Sequence, residues 1–121
     1  SARAVEACAA SLRAARAKVI PLPVSAPFHS SLMRTVEERL APLLRATSLR
    51  EPTIPVYTNV DARPVATAAD ALDALIRQVS RPVRWEPLIR QMLVDGFDTF
   101  IEVGPGRVLS GLISRIRASS A

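Results

Sequence analysis

Three short runs rich in β-formers, Val19 to Ser25 (VIPLPVS), Ile54 to Val60 (IPVYTNV) and Phe97 to Val103 (FDTFIEV), alternate with stretches whose apolar residues recur at helical spacing. Strand and helix in alternation is the pattern of an α/β layered fold with partly parallel strands. Parallel sheets bury both faces, and three strands form too small a sheet to do so alone. The alternation therefore predicts part of a larger α/β protein.

The helices are read from the same spacing. Ala2 to Lys18 is rich in Ala, the best helix former, but its apolar face is shallow and suits close packing against another element. Val19 to Ser25 contains Pro21 and Pro23. Residues two apart direct their backbone groups to the same side, so both missing N–H donors fall on one edge and the other edge stays competent. This predicts a strand paired mainly on one side, ending in a turn at Ala26-Pro27. From Ser31, the residues Leu32, Val36, Leu40, Leu43 and Leu44 share a helical face, and Pro42 is expected to kink or restart the helix, which ends by Thr47 or Ser48. Asp61 to Pro64 reads as the turn closing the second strand, and Thr67 with Asp70 as a capping box. Leu72, Leu75, Ile76 and Val79 follow on one helical face. A short helix then opens at Glu86-Pro87 and stops at Gly96, and a last one spans Arg107 to Arg117.

At 121 residues, the chain is about one domain long, and 49% hydrophobic with 22% charged residues supplies an ordinary core and argues against disorder. The lone Cys8 makes no internal disulfide, and one His beside one Cys lacks the ligands of a structural zinc site, so no metal is expected. No apolar run reaches the ~20 residues of a membrane span, and no signal peptide is seen; the expectation is a cytoplasmic protein. The net charge of +5 permits an acidic partner. It does not point to nucleic acid: aromatic residues are only 4%, leaving few stacking platforms, and the arginines are dispersed. Arg77, Arg81 and Arg84, the densest group, read equally well as a solvated face.

Gly104-Pro105-Gly106 before a helix suggests a phosphate loop, yet Leu109 stands where a dinucleotide fingerprint needs glycine and Leu112 where a Walker pattern needs lysine. His29 is the one side chain that titrates near neutrality without perturbation. It reads either as a structural histidine or as a general base that takes a proton from a nucleophile. No G-x-S-x-G elbow is present, and Ser30 and Ser31 adjoin His29 where helix geometry turns them elsewhere. Residue chemistry alone yields half an active site.

Pro21 to Met33 (PLPVSAPFHSSLM) strongly resembles the histidine motif of the malonyl-CoA:acyl carrier protein transacylases and of the acyltransferase domains of fatty acid and polyketide synthases. Three later segments agree in order and spacing: Ile54 to Val60, Arg77 to Trp85 with Gln78, Pro82, Val83 and Trp85 at the family's positions, and Ile101 to Gly106 followed by Leu109 to Leu112. The resemblance covers essentially the whole chain.

That resemblance implies the C-terminal part of such an enzyme, whose large α/β-hydrolase-like subdomain carries an inserted ferredoxin-like small one. Residues 1–24 would end the small subdomain and 25–121 would complete the large acyltransferase subdomain. The implied reaction moves malonyl from malonyl-CoA to the phosphopantetheine thiol of acyl carrier protein in fatty acid synthesis, with malonyl-CoA as substrate and no cofactor. His29 matches the family's base, and Gln78 the residue whose backbone carbonyl orients it. Phe28 matches the malonyl-selective pattern at the substrate pocket. The serine, the oxyanion donors and the arginine for the malonyl carboxylate belong to segments outside these 121 residues. The implied partners are thus acyl carrier protein and the N-terminal part of the same enzyme, with neither nucleic acid nor a membrane. A polyketide synthase acyltransferase fragment and a non-catalytic interaction fragment are the alternative readings.

Overall fold

The computed structural model describes residues 1–119. Five helices and one hairpin make up the regular structure: α1 (Ala2–Ala14), α2 (Arg34–Arg45), β1 (Val56–Thr58), β2 (Arg63–Val65), α3 (Ala68–Arg77), α4 (Trp85–Val94) and α5 (Val108–Ala118). A single 3-10 turn, Ser31–Met33, leads into α2. Two packed groups result. The hairpin and α2 pack on α3, while α4 packs on α5.

α1 is capped by the Ser1 hydroxyl and stops earlier than its composition predicts. Arg16 turns into the left-handed region at φ 61°, and its N–H and that of Ala17 bond back to the carbonyls of Arg13 and Leu12. This closing motif satisfies the helix's last carbonyls and ends it regardless of propensity. No residue of α1 is buried, and Val5 is exposed.

α2 continues through Pro42, without the expected restart. The proline sits on the exposed face in the last turn, where it removes one hydrogen bond and little of the helix remains to be displaced. In α3 the Thr67 hydroxyl accepts from the Asp70 N–H at 3.0 Å and donates to the Asp70 carboxylate at 2.9 Å, so the expected capping box forms by half: the N-cap is made, but the shorter Asp meets the Thr67 hydroxyl and not its backbone N–H. Ala74 and Ile76 are its buried residues, while Leu75 lies nearer the surface than expected. α4 begins at Trp85, buries Leu88 and Ile89, and closes on Gly96 at φ 92°.

The expected three-stranded, partly parallel sheet is not formed among the described residues. The one sheet is antiparallel, pairing Val56 with Val65, Tyr57 with Pro64 and Thr58 with Arg63. Its turn lies at residues 59–62, earlier than expected, with Ala62 left-handed and its N–H bonded to the Thr58 carbonyl, so Pro64 stands in a strand instead of a turn. Val19 to Ser25 and Phe97 to Val103 carry no ladder. Ile20, Leu22 and Val24 are 64–73% exposed, and Ile101 and Val103 are 83% and 94% exposed. Strand propensity expresses fit to a half-buried pleated surface, and no neighbouring strand is present to provide one.

The hairpin is bolted to α3 by Arg77, which forks onto both Asp61 oxygens at 2.9 and 2.6 Å and also meets Asp73 at 2.6 Å. The Arg77 guanidinium holds the Asp61 carboxyl below its usual range. A carboxylate whose folded pKa is depressed stabilises the fold above its unfolded pKa, near 4, and loses that contribution as pH falls through the folded value. Thermal unfolding followed by circular dichroism is expected to show a midpoint that declines on acidification from about pH 5 towards pH 2. Asp61→Asn should lower the neutral midpoint and flatten that decline; an unchanged profile would remove the pair from the stability of the hairpin.

Candidate functional site

The segment following the irregular apolar run turns sharply at Ala26-Pro27, where the Phe28 N–H bonds to the Ala26 carbonyl. His29 then adopts φ 58°, a left-handed backbone uncommon for a residue with a side chain. Two contacts hold it there. Its N–H donates to the Val79 carbonyl at 3.3 Å, and its Nδ1 lies 2.9 Å from the Gln78 carbonyl. A carbonyl only accepts, so this geometry assigns the proton to Nδ1 and leaves the Nε2 lone pair as an acceptor.

The end of α3 explains why these carbonyls are available. Gln78 caps the helix, and the final carbonyls of a helix have no partner within it. Past Gln78 the chain turns through Val79 and Ser80. The Ser80 hydroxyl donates to the Glu37 carboxylate on α2, and Ser80 is the buried polar residue of the described fold. His29 is exposed, and the Phe28 ring beside it is 58% exposed. Ser30 is turned away as expected: its hydroxyl donates to the Pro27 carbonyl at 2.7 Å.

The structure thus brings His29 and Gln78 together across 49 residues, through the Gln78 backbone and not its side chain. It brings no serine hydroxyl into a hydrogen bond with His29 among the described residues. Such an arrangement can accept a proton at Nε2. Among the described residues no group of three His, Cys, Asp or Glu is placed to hold a metal ion, and no helix is long and apolar enough to cross a membrane.

Two contributors escaped the sequence. Glu37 looked like one of several solvated charges on the polar face of α2, and Ser80 carried no signal. Glu102 was legible only as part of a strand. Its carboxylate accepts from the N–H groups of Leu109 and Ser110 at 3.2 and 2.9 Å and from the Ser110 hydroxyl at 2.6 Å, capping α5. These bonds, led by the Ser110 hydroxyl and aided by the Arg107 charge, hold its carboxyl below the usual range. The anion position at the start of α5, where a phosphate loop would bind its ligand, is filled by the chain's own carboxylate. Of the basic group, Arg77 is committed to Asp61 and Asp73; with Arg81, Arg84, Val60 and Pro82 it lines an open groove of about 500 Å³.

No family model matches the chain. Among curated proteins it is 44% identical over 115 residues to the malonyl CoA-acyl carrier protein transacylase of Escherichia coli K12, covering 93% of this chain and 37% of that protein. It is 43% identical over 99 residues to that of Bacillus subtilis strain 168, covering 82% and 31%. The malonyl CoA-acyl carrier protein transacylase structure from Coxiella burnetii superposes with a TM-score of 0.87 at 37% identity, over 95% of this chain and 37% of that one. A malonyl-transacylase solved in complex with a type II polyketide synthase acyl-carrier protein superposes with a TM-score of 0.86 at 39% identity, over 94% and 37%. The chain spans about a third of the length of the curated relatives it matches.

Proposed function

Over the third of their length that it spans, the chain belongs to the malonyl CoA-acyl carrier protein transacylase family, and we propose that it supplies the general base of a malonyl transfer from malonyl-CoA to acyl carrier protein in cytoplasmic fatty acid synthesis. The observation that carries this reading is the 2.9 Å bond from His29 Nδ1 to the Gln78 carbonyl, which leaves Nε2 as a proton acceptor on an exposed edge. Orientation of the ring through its other nitrogen is the part that Asp plays in a serine triad.

The proton economy follows. A serine from the part of the family's length that these residues do not span gives its proton to Nε2 as its oxygen attacks the malonyl thioester. The C–S bond breaks, and the CoA sulfur leaves with the proton returned from Nε2. In the second half the carrier's phosphopantetheine thiol gives its proton to Nε2 and attacks the acyl-serine. The ester C–O bond breaks, and the serine oxygen regains the proton. No cofactor enters either half. By the same family correspondence, residues 1–24 end a ferredoxin-like subdomain and 25–121 complete an α/β-hydrolase-like one.

Phe28 precedes the base, and we assign its exposed ring to the wall that crowds an α-methyl group on the acyl chain. A polyketide carrier is a second acceptor to consider, because one matched transacylase was solved with such a carrier.

Transfer of radiolabelled malonyl to each carrier tests the assignment. The purified 121-residue chain should transfer none, since it contains no elbow serine. In the complete enzyme, His29→Ala should lower acylation by roughly three to four orders of magnitude. Transfer by the chain alone, or a near-normal rate for the variant, would sink the role. Phe28→Ser in the complete enzyme should shift the methylmalonyl to malonyl ratio of kcat/KM upward by about tenfold; an unmoved ratio would take Phe28 out of acyl selection.

A further inference from the structure

We propose that Glu37 and Ser80 form a positioning pair for His29, holding the turn whose carbonyls orient the imidazole. The inference rests on the reading of His29 as base, and it concerns residues that touch no reacting atom.

Two stretches of chain run side by side here. One leads from His29 through Ser30 and the turn Ser31–Met33 into α2, reaching Glu37 in its first turn. The other leads from Gln78 through Val79 to Ser80. They are tied at both ends. At one end the His29 ring and amide bond to the carbonyls of Gln78 and Val79. At the other, the Ser80 hydroxyl donates to the Glu37 carboxylate. Ser80 is 7% exposed and Glu37 half-buried, so the bond is shielded from competing water and its charged acceptor makes it stronger than a neutral one.

The consequence is geometric. Gln78, Val79 and Ser80 are consecutive, so a turn fixed at Ser80 has little freedom to swing the two carbonyls before it. Besides the Glu37 contact, the turn is held on that side by helix-end bonds from the N–H groups of Val79, Ser80 and Arg81 to the carbonyls of Ile76 and Arg77, at 3.1–3.4 Å. A small rotation there takes the Gln78 carbonyl off the Nδ1–H axis. The ring then loses what selects its tautomer, and with it the fixed lone pair on Nε2. The α2–α3 packing gives this contact its reach, because it links the body of α2 to the helix end that presents the carbonyls.

Nitrogen-15 NMR of the imidazole in the 121-residue chain, recorded in alkaline solution where its shifts no longer move with added base, reads the Nδ1–H to Nε2–H ratio directly. Nδ1–H should predominate in the unaltered chain. Ser80→Ala and Glu37→Ala should each lower the ratio about threefold or more, and the double variant should go no lower than the singles, as expected for partners in one bond. Glu37→Gln, which keeps an acceptor oxygen, should restore most of it. Ile89→Ala, buried on α4 away from the Glu37–Ser80 contact, should lower thermal stability and leave the ratio alone. Unchanged ratios in both alanine variants, or additive effects, would overturn the pair's role. Glu37→Ala retains a good helix former at a half-buried site and decides the matter if Ser80→Ala does not fold. The readout is independent of acyl transfer: a complete enzyme indifferent to His29→Ala removes the base, whereas an unmoved tautomer ratio removes only the positioning.

Discussion

The ring-to-backbone bond between His29 and Gln78 is the contact around which the rest of this structure is arranged. It joins residues 49 apart, and it demands a left-handed backbone at His29, which costs about 1–2 kcal/mol for a residue with a Cβ. Such a conformation persists only where its surroundings over-determine it. Here they do, because the His29 N–H is bonded to Val79 at the same helix end that receives the ring. That helix end is itself immobilised: Arg77 forks onto Asp61 of the hairpin turn, and Thr67 caps the far terminus. A backbone carbonyl in place of a carboxylate adds no charge to the site. Its position depends on the helix end that carries it, which makes α3 part of the proposed site without lending a side chain.

The fold satisfies itself around α3 and between α4 and α5, and stops there. Val19 to Ser25 and Phe97 to Val103 have the composition of strands and leave Ile20, Leu22, Val24, Ile101 and Val103 in solvent. An apolar cavity of about 170 Å³ beside the second run is lined by Trp85, Leu88, Ile89, Met92 and Ile101, and the buried Trp85 Nε1–H finds no acceptor among the described residues. The two unpaired strand-forming runs present surfaces shaped for contact that the described residues do not themselves provide. The family's threefold greater length accounts for both in the proposed function.

What could be read in advance follows a physical line. The four later helices fall close to their expected positions because their signals are local: apolar spacing, the Thr67 cap, the Gly96 stop. α1 ends early because Arg16 takes a left-handed turn usually left to glycine, which no propensity scale would place there. The strands failed as strands because pairing is a property of neighbours and not of the run itself. At the site, His29, Gln78 and Phe28 were visible through a motif. Glu37 and Ser80 were not, since two residues 43 apart with ordinary roles in their own elements leave no joint mark in a sequence.

Glu102 constrains how the proposed substrate can lie. Coenzyme A brings phosphates, and the start of a helix following a glycine-rich turn is the usual place to meet them. In this chain the N–H groups of Leu109 and Ser110, in the first turn of α5, are already bonded to the Glu102 carboxylate, and those bonds hold its pKa below the usual range. An anion approaching there would meet like charge, with the Leu109 and Ser110 N–H groups already engaged. Gly104 and Gly106, at φ 143° and 92°, therefore serve to fold Glu102 back over the helix it precedes, a backbone path that glycine adopts without steric cost. The groove lined by Arg77, Arg81 and Arg84 gathers cationic side chains elsewhere on the chain, and Arg77 in its wall is already paired with Asp61 and Asp73.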